Sequence, residues 1–403
     1  MSSTERPRVL VVGGGPFQRE ILRAARACAE VVVVDGSPRA PGLALADHPR
    51  VVNIADPAAV VDVARAFRVA GVVTAASDVA VPAVSAVVEA LGLPGLSPDA
   101  ALRCRDKLAC FRALAAGKHA VPETRAIDDV AQAERAAAEV GGYPVIVKPR
   151  SGGGGRGVGL VRAPSELSAA IACARRAFGA GDEAVLIQAY IDGLSVGVEA
   201  FFAGGELIAA FVLDDQFEPG YISPAGHALP STLAPEDSAR IVAAVAALGR
   251  TLGLSDGPAN FDLRYAHGRT LLLEVNPRLG GNSITDLVRA AYGVDLAAAT
   301  VAAALGRDPR PLLQRGAAQP IAARLVLKHG HGRARFSEPL AHDDAHPGVV
   351  SLDLLVSDGQ AATLQVDEWT ILGRVMTRAA DSGGAAQLAE QVASEVAGRI
   401  ALV

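Results

Sequence analysis

Residues 147–159 read "VKPRSGGGGRGVG". A lysine closes an apolar run, and six glycines follow it around a single arginine. Bare backbone N–H groups in such a loop can wrap phosphate oxygens, because glycine lets the chain approach closely. Lys148 at the strand end would set a compact positive charge on the same phosphates. The order is not that of the P-loop, GxxxxGK[ST], where the lysine follows the glycines. A flexible linker would not continue directly from an apolar strand, so phosphate binding is the expectation.

A second constellation is "FDLRYAHGRTLLLEVNPRLGG", residues 261–281. Two strands joined across "AHGR" predict a hairpin with Asp262 on one strand and Glu274 on the other. Glu274, Asn276 and Arg278 alternate, which directs all three to one face. Two carboxylates and an amide oxygen are hard ligands suited to Mg²⁺, with Mn²⁺ as a substitute. Mg²⁺ takes one or two carboxylates and completes its shell with water and substrate phosphates. The apolar flanks of Glu274 favour a cleft-lining strand over a surface ladder of ion pairs. A phosphate loop and a metal-binding strand together predict a nucleotide site.

The 403 residues should form two to three domains of ordinary globular composition, 50% hydrophobic and 20% charged. A net charge of −5 offers no basic footprint for nucleic acid. The N-terminal apolar run is too short for a secretion signal, and no uncharged run approaches membrane-spanning length. Cys28, Cys104, Cys110 and Cys173 lie far apart without metal-binding spacing, as buried reduced thiols of a cytoplasmic protein would. Of 38 basic residues only Lys107, Lys118, Lys148 and Lys328 are lysines, which marks them as places where a compact ammonium is needed.

The alternation of "RVLVVGGG", "EVVVVDGSP", "VVNIAD" and "GVVTAAS" with helical stretches predicts an α/β, doubly wound parallel sheet over residues 1–97. Its glycines and Asp35 admit a dinucleotide reading, although Gln18 stands where the third glycine of the fingerprint belongs. Residues 98–310 form the expected central domain, with a lid at about 119–190. Residues 311–403 supply antiparallel strands and a closing helix. His227, read as a loop residue in "ISPAGHALPS", is either a base for an attacking ammonium or a structural hydrogen-bonding group. Arg264 alternates with Asp262 as a substrate contact or its charge partner. His329 and His331 have metal spacing without a third ligand and read as solvated.

Lys107 in "RDKLACF", "VPET", Lys148 with its glycine loop, "AYIDG" and "LLLEVNPRLGG" occur in the order and spacing of the ATP-grasp superfamily. The chain resembles its biotin-carboxylase-like carboxylate–amine ligases, especially the L-amino-acid (dipeptide) ligases, by "GHALPS" and "NPRLGGNSITDLVRAAYGVDL". The resemblance implies an ATP-grasp domain with a mobile lid. It implies an enzyme that activates a carboxylate as an acyl phosphate, joins it to an amine, and releases ADP and phosphate.

ATP would be bound by Lys107, Lys148, Ser151, Gly152, Gly153, Gly154, Gly157, Gln188, Tyr190, Ile191 and Glu199. Asp262, Glu274 and Asn276 would hold Mg²⁺. Arg278 and His227 would serve the reaction, and Gly280, Gly281 and Asn282 would lie beside the substrate. The partners are small-molecule carboxylates and amines, with neither nucleic acid nor membrane, and a homodimer is expected. The chain departs from the family's paired acids at Gln188 and Ala189. It has Ser195-Val196-Gly197 in place of Glu-x-Ser, and Asp262 where Glu is usual. A bicarbonate- or formate-activating enzyme of purine-type metabolism and an NAD-binding oxidoreductase are the alternatives.

Overall fold

The computed structural model describes residues 6–177, 184–337 and 346–403; positions 178–183 of the expected lid and the N-terminal residues 1–5 lie outside the described residues. The N-terminal part is a four-stranded parallel sheet in the order His48–Val51, Glu30–Asp35, Arg8–Val12, Gly71–Val73. Its two central strands are valine-rich and buried almost throughout, as strands covered on both faces must be. Helices Pro57–Phe67 and Val81–Leu91 pack on one face. The other face is covered by Arg19–Cys28 and by Leu296–Ala304, a helix from the central part of the chain. The third strand runs over His48–Val51 instead of the apolar "VVNIAD". An exposed edge strand needs no apolar pattern, and it tolerates Pro49.

In this sheet the residues of the dinucleotide reading are engaged by the protein itself. The two carboxylate oxygens of Asp35 accept from the Gly14 and Ser37 N–H groups, each at 2.7 Å. Gln18 fills the glycine turn, lying against Gly13 and Gly15 while donating to the Ala75 carbonyl at 2.7 Å.

The central sheet has nine antiparallel strands. Its path runs Arg269–Asn276, Gly257–Ala266, Leu194–Ala203, Glu206–Gln216, Gly226–Leu229, Ile321–His329, Trp369–Arg378, Val349–Leu354. Gln365–Val366 pairs with Trp369–Arg378 beside it. The strands beyond residue 311 thus extend the central sheet, because Gly226–Leu229 bonds directly to Ile321–Arg324. His227 accordingly sits on a short strand inside the sheet, not in a loop. Strand Trp369–Arg378 escapes sequence reading because Gly373 and Arg374 interrupt its apolar run, yet Gly373 is where the Asp353 carbonyl passes closely.

The lid is a separate antiparallel sheet, Thr124–Ile127, Val185–Ala189, Val145–Pro149, Gly159–Val161, backed by Ala133–Glu139 and Pro164–Arg176. The hairpin predicted across "AHGR" is present; His267 and Gly268 have φ of 50° and 72°, as a tight two-residue turn requires. All four cysteines are free, with Cys104 and Cys110 buried. Among the described residues no single helix is long and apolar enough to cross a membrane.

Helix Pro235–Leu252 lies on the central sheet with the buried Phe202 ring directly over Gly249. Alanine at 249 gains helix propensity worth about 1 kcal/mol, but its methyl meets the ring in a core that cannot yield cheaply. Gly249→Ala is expected to destabilise the protein by about 1–2 kcal/mol net, read as a lower denaturation midpoint. An unchanged or raised midpoint would show that Phe202 moves aside.

Candidate active site

The three parts of the chain meet at one cavity of about 430 Å³. Its floor is the hairpin Gly257–Ala266 and Arg269–Asn276, where Asp262 pairs opposite Glu274 and Asn260 opposite Asn276. The register then shifts between Asp262 and Leu263. The extra residue is Leu273, whose carbonyl accepts from Lys148 Nζ at 3.4 Å. The bulge therefore links the lid's lysine to the acidic strand. Arg278 lies two residues past the end of its strand, so simple alternation does not place it, but it lines the same cavity.

Burial, with the neighbouring Glu274 charge adding to it, pushes the Asp262 carboxyl up to about 8. Asp262 accepts no hydrogen bond among the described residues, and Glu274 has Lys107 Nζ at 3.5 Å. Two carboxylates facing each other with one bonded cation between them form a donor set that a divalent cation fits. Asn276 adds an amide oxygen on the same wall. Among the described residues no group of three or more His, Cys, Asp or Glu is placed to hold a metal ion by itself.

Arg278 is 8% exposed and held by Asp78, at 2.9 Å from Nε and 2.7 Å from Nη2. Asp78 comes from the N-terminal sheet, just beyond the carboxyl end of strand Gly71–Val73. An isolated bridge joins Ala75 to Leu279 at the same junction. Sequence reading missed Asp78; the signal available was its place at a strand's carboxyl end, where open α/β sheets present ligand-binding loops. Asn260, also missed, alternates with Asp262 in "ANFDLRY". Ala76 and Asn282, both cavity-lining, have φ of 51° and 50°, strained backbone of the kind that collects at functional sites.

Ser151, Gly152, Gly153 and Gly154 form the opposite wall, together with Arg156. Side chains would be crowded at several of these glycines. A Cβ on Gly153 would strike the Asp78 carboxylate, and one on Gly155 would strike the Ser223 hydroxyl. Lys107 donates to the Gly152 carbonyl, and Lys148 donates to Gln188 Oε1 at 2.9 Å above the Phe111 ring. Gln188 also bonds Thr124. Gln188 thus gives the lysine an amide dipole and no counter-charge. Burial, then repulsion from Lys107, pushes the Lys148 ammonium down to about 7. An anion beside it would restore the charge. Of the other lysines, Lys328 donates to the Ala397 carbonyl of the closing helix, and Lys118 is exposed.

Other expected residues lie outside the cavity wall. Glu199, read as a nucleotide contact, is 0% exposed and instead accepts from the Gly280 N–H at 3.1 Å and Asn260 Nδ2 at 3.1 Å. It anchors the backbone that carries Arg278, Gly281 and Asn282. Gly280 packs against it and leaves no room for a side chain. Lys107, Lys148, Gln188, Tyr190, Ile191 and Gly157 do not line the cavity. Arg264 donates to the Gly193 carbonyl at 3.2 Å and so is neither the charge partner of Asp262 nor part of the cavity wall. His329 and His331 are exposed, and His329 meets Trp369 edge-on. His227 lines the cavity, with its Nδ1 2.9 Å from Asp215.

This fold and this site contain an ATP-grasp domain and resemble those of ATP-dependent ligases. Residues 141–286 match the ATP-grasp domain family. Across its length the chain superposes on an L-amino acid ligase from Bacillus licheniformis with a TM-score of 0.79 and 19% identity, covering 100% of this chain and 99% of that one. An uncharacterized protein, y4rH of Sinorhizobium fredii, is 28% identical over 335 residues, 82% of this chain and 68% of its own. Human carnosine synthase 1 is 33% identical over 240 residues, 54% of this chain but only 29% of its own length.

Burial raises the Glu199 carboxyl to about 7 in the folded protein, against an ordinary value of 4.5. Between those values the folded state binds more protons than the unfolded one, so stability falls as pH rises through that window and then levels. The loss is on the order of 2–3 kcal/mol. In Glu199→Gln, with the Asn260 amide turned to accept, the slope should become shallower by that amount, leaving the part due to Asp262, whose carboxyl is also raised. Thermal unfolding of both proteins from pH 5 to 8 checks it, and parallel curves would place the titration elsewhere.

Proposed function

We propose that the chain is an ADP-forming carboxylate–amine ligase that activates an amino acid's carboxylate and joins it to a second amino acid. The observation that carries the reading is the single cavity in which Asp262, Glu274 and Asn276 face the backbone of residues 151–154, with Arg278 at its inner end. Lys107 and Lys148 stand behind the loop as positive charges for the nucleotide's phosphates. Asp262, Glu274 and Asn276 would hold Mg²⁺, which neutralises phosphate charge and orients the γ-phosphoryl group when bound.

The substrate carboxylate, placed against Arg278, attacks the γ-phosphorus in line, and ADP departs. Arg278 is rigid before substrate arrives, because Asp78 and the Leu279 carbonyl fix its guanidinium. Its charge is thus preorganised for the acyl phosphate. The amine then attacks the acyl carbon, the C–O bond to phosphate breaks, and an amide forms. His227, facing the cavity, takes the ammonium proton.

Amino acids suit the site better than bicarbonate or formate. The cavity is also lined by Phe17, Tyr221, Leu364 and Ile371, an apolar surface that amino-acid side chains can fill. The names of two similar proteins, carnosine synthase 1 and L-amino acid ligase, agree with that choice.

Pairwise incubation of amino acids with ATP and Mg²⁺ should release ADP and phosphate. AMP and pyrophosphate, or turnover dependent on bicarbonate or formate alone, would contradict the reading. Arg278→Ala is expected to lower turnover by about 10²–10³-fold while ATP affinity changes little. A fully active Arg278→Ala protein would remove the arginine from the chemistry.

A further inference from the structure

We propose that Asp215, held by Ser195 and given room by Gly197, is the positioning residue that makes His227 the base for the amine half-reaction. The inference rests on the ligase reading above. Asp215 lies on strand Glu206–Gln216, directly across from His227 on Gly226–Leu229. Its Oδ1 is 2.9 Å from His227 Nδ1, and its Oδ2 accepts from Ser195 Oγ at 2.8 Å. The Asp215 and His227 side chains are 2% and 5% exposed. An aspartate so placed fixes Nδ1 as the protonated nitrogen, because a carboxylate can only accept. Nε2 is then left with its lone pair. It has no protein partner among the described residues, and its ring lines the cavity.

Ser195 and Gly197 are the two positions where the chain departs from Glu-x-Ser, and both departures serve Asp215. The serine hydroxyl bonds its second oxygen. A Cβ at 197 would come within 3.2 Å of its first. A long acid at 195 would instead set a like charge against Asp215. The local sequence is thus consistent with a Ser195–Asp215–His227 chain of hydrogen bonds leading to the cavity.

The proton balance is closed. The ammonium of the second substrate gives one proton to His227 Nε2 and becomes a neutral amine. That amine forms the C–N bond as the C–O bond to phosphate breaks. The leaving phosphate carries away the nitrogen's second proton as hydrogen phosphate, and His227 returns its proton to solvent. Hydroxylamine is neutral near pH 7 and attacks the same acyl phosphate without a base. It therefore separates activation, which His227 does not serve, from amide formation, which it does.

The test uses the full-length protein with ATP, Mg²⁺ and the amino-acid pair that releases most phosphate, with hydroxylamine replacing the amine in parallel. Asp215→Asn should lower amide formation on the order of 10²-fold. It should leave hydroxamate formation within about twofold, since activation is untouched. Ser195→Ala, a milder change, should lower amide formation by about fivefold in the same selective way. Adding Asp215→Asn to His227→Ala should cost nothing further, because the two act as one unit.

Equal loss of hydroxamate and amide would make Asp215 merely structural and overturn the assignment, as would full amide formation in Asp215→Asn. A wild-type protein that makes hydroxamate while both variants stay active would sink this assignment and leave the ligase reading standing. A wild-type protein that makes neither product would sink both.

Discussion

Asp262 and Glu274 face each other across neighbouring antiparallel strands, and like charges so placed repel. Most of the site can be understood as a response to that repulsion. Lys107 approaches Glu274, and Asp262, raised first by its burial and then by that repulsion, accepts a proton more readily than an ordinary carboxyl. A fold built for stability alone would place apolar residues there, since buried charges rarely repay their desolvation. Two acids on neighbouring strands with apolar flanks make sense if a cation and phosphates complete the arrangement.

The second constraint is that no single part of the chain contains the site. Asp78 comes from the parallel sheet, the glycine loop from the lid, and the acidic strand and His227 from the central sheet. The Arg278–Asp78 pair spans 200 residues of sequence and fixes the N-terminal sheet against the acidic hairpin. Leu296–Ala304, lying on the back of that sheet, holds the same junction through packing. Glu199 supports it from below by binding the Gly280 backbone. These contacts set the cavity's walls before any ligand enters, and such preorganisation is what phosphoryl transfer mainly needs from a protein.

The parallel sheet, the hairpin at His267 and Gly268, the glycine loop and the acidic strand were legible in the sequence because each has a local signature. Alternation gave the shared face of Glu274 and Asn276, though not the place of Arg278 beyond the strand's end, and the run of glycines marked the loop. What was not legible depends on long-range register. Asp78 and Asp215 look like ordinary surface acids until the fold brings them to Arg278 and His227. His227 looks like a loop residue because Gly226 and Pro230 flank it, although its strand is bonded on both sides. Glu199 looked like a ligand contact because its position resembles one. Complete burial under Gly280 was not encoded locally. The edge strand at His48–Val51 was missed for the opposite reason, since an exposed edge carries no hydrophobic pattern.

The central claim is that the acidic pair binds a divalent cation together with nucleotide phosphates. Electron paramagnetic resonance of Mn²⁺ reports this directly, because the free ion's signal is lost on binding. With ATP present at a fixed ratio, wild-type protein should sequester Mn²⁺ beyond what ATP alone binds. A variant with Asp262→Asn and Glu274→Gln, shown to be folded by its unfolding transition, should not. Equal sequestration by the two proteins would contradict the account.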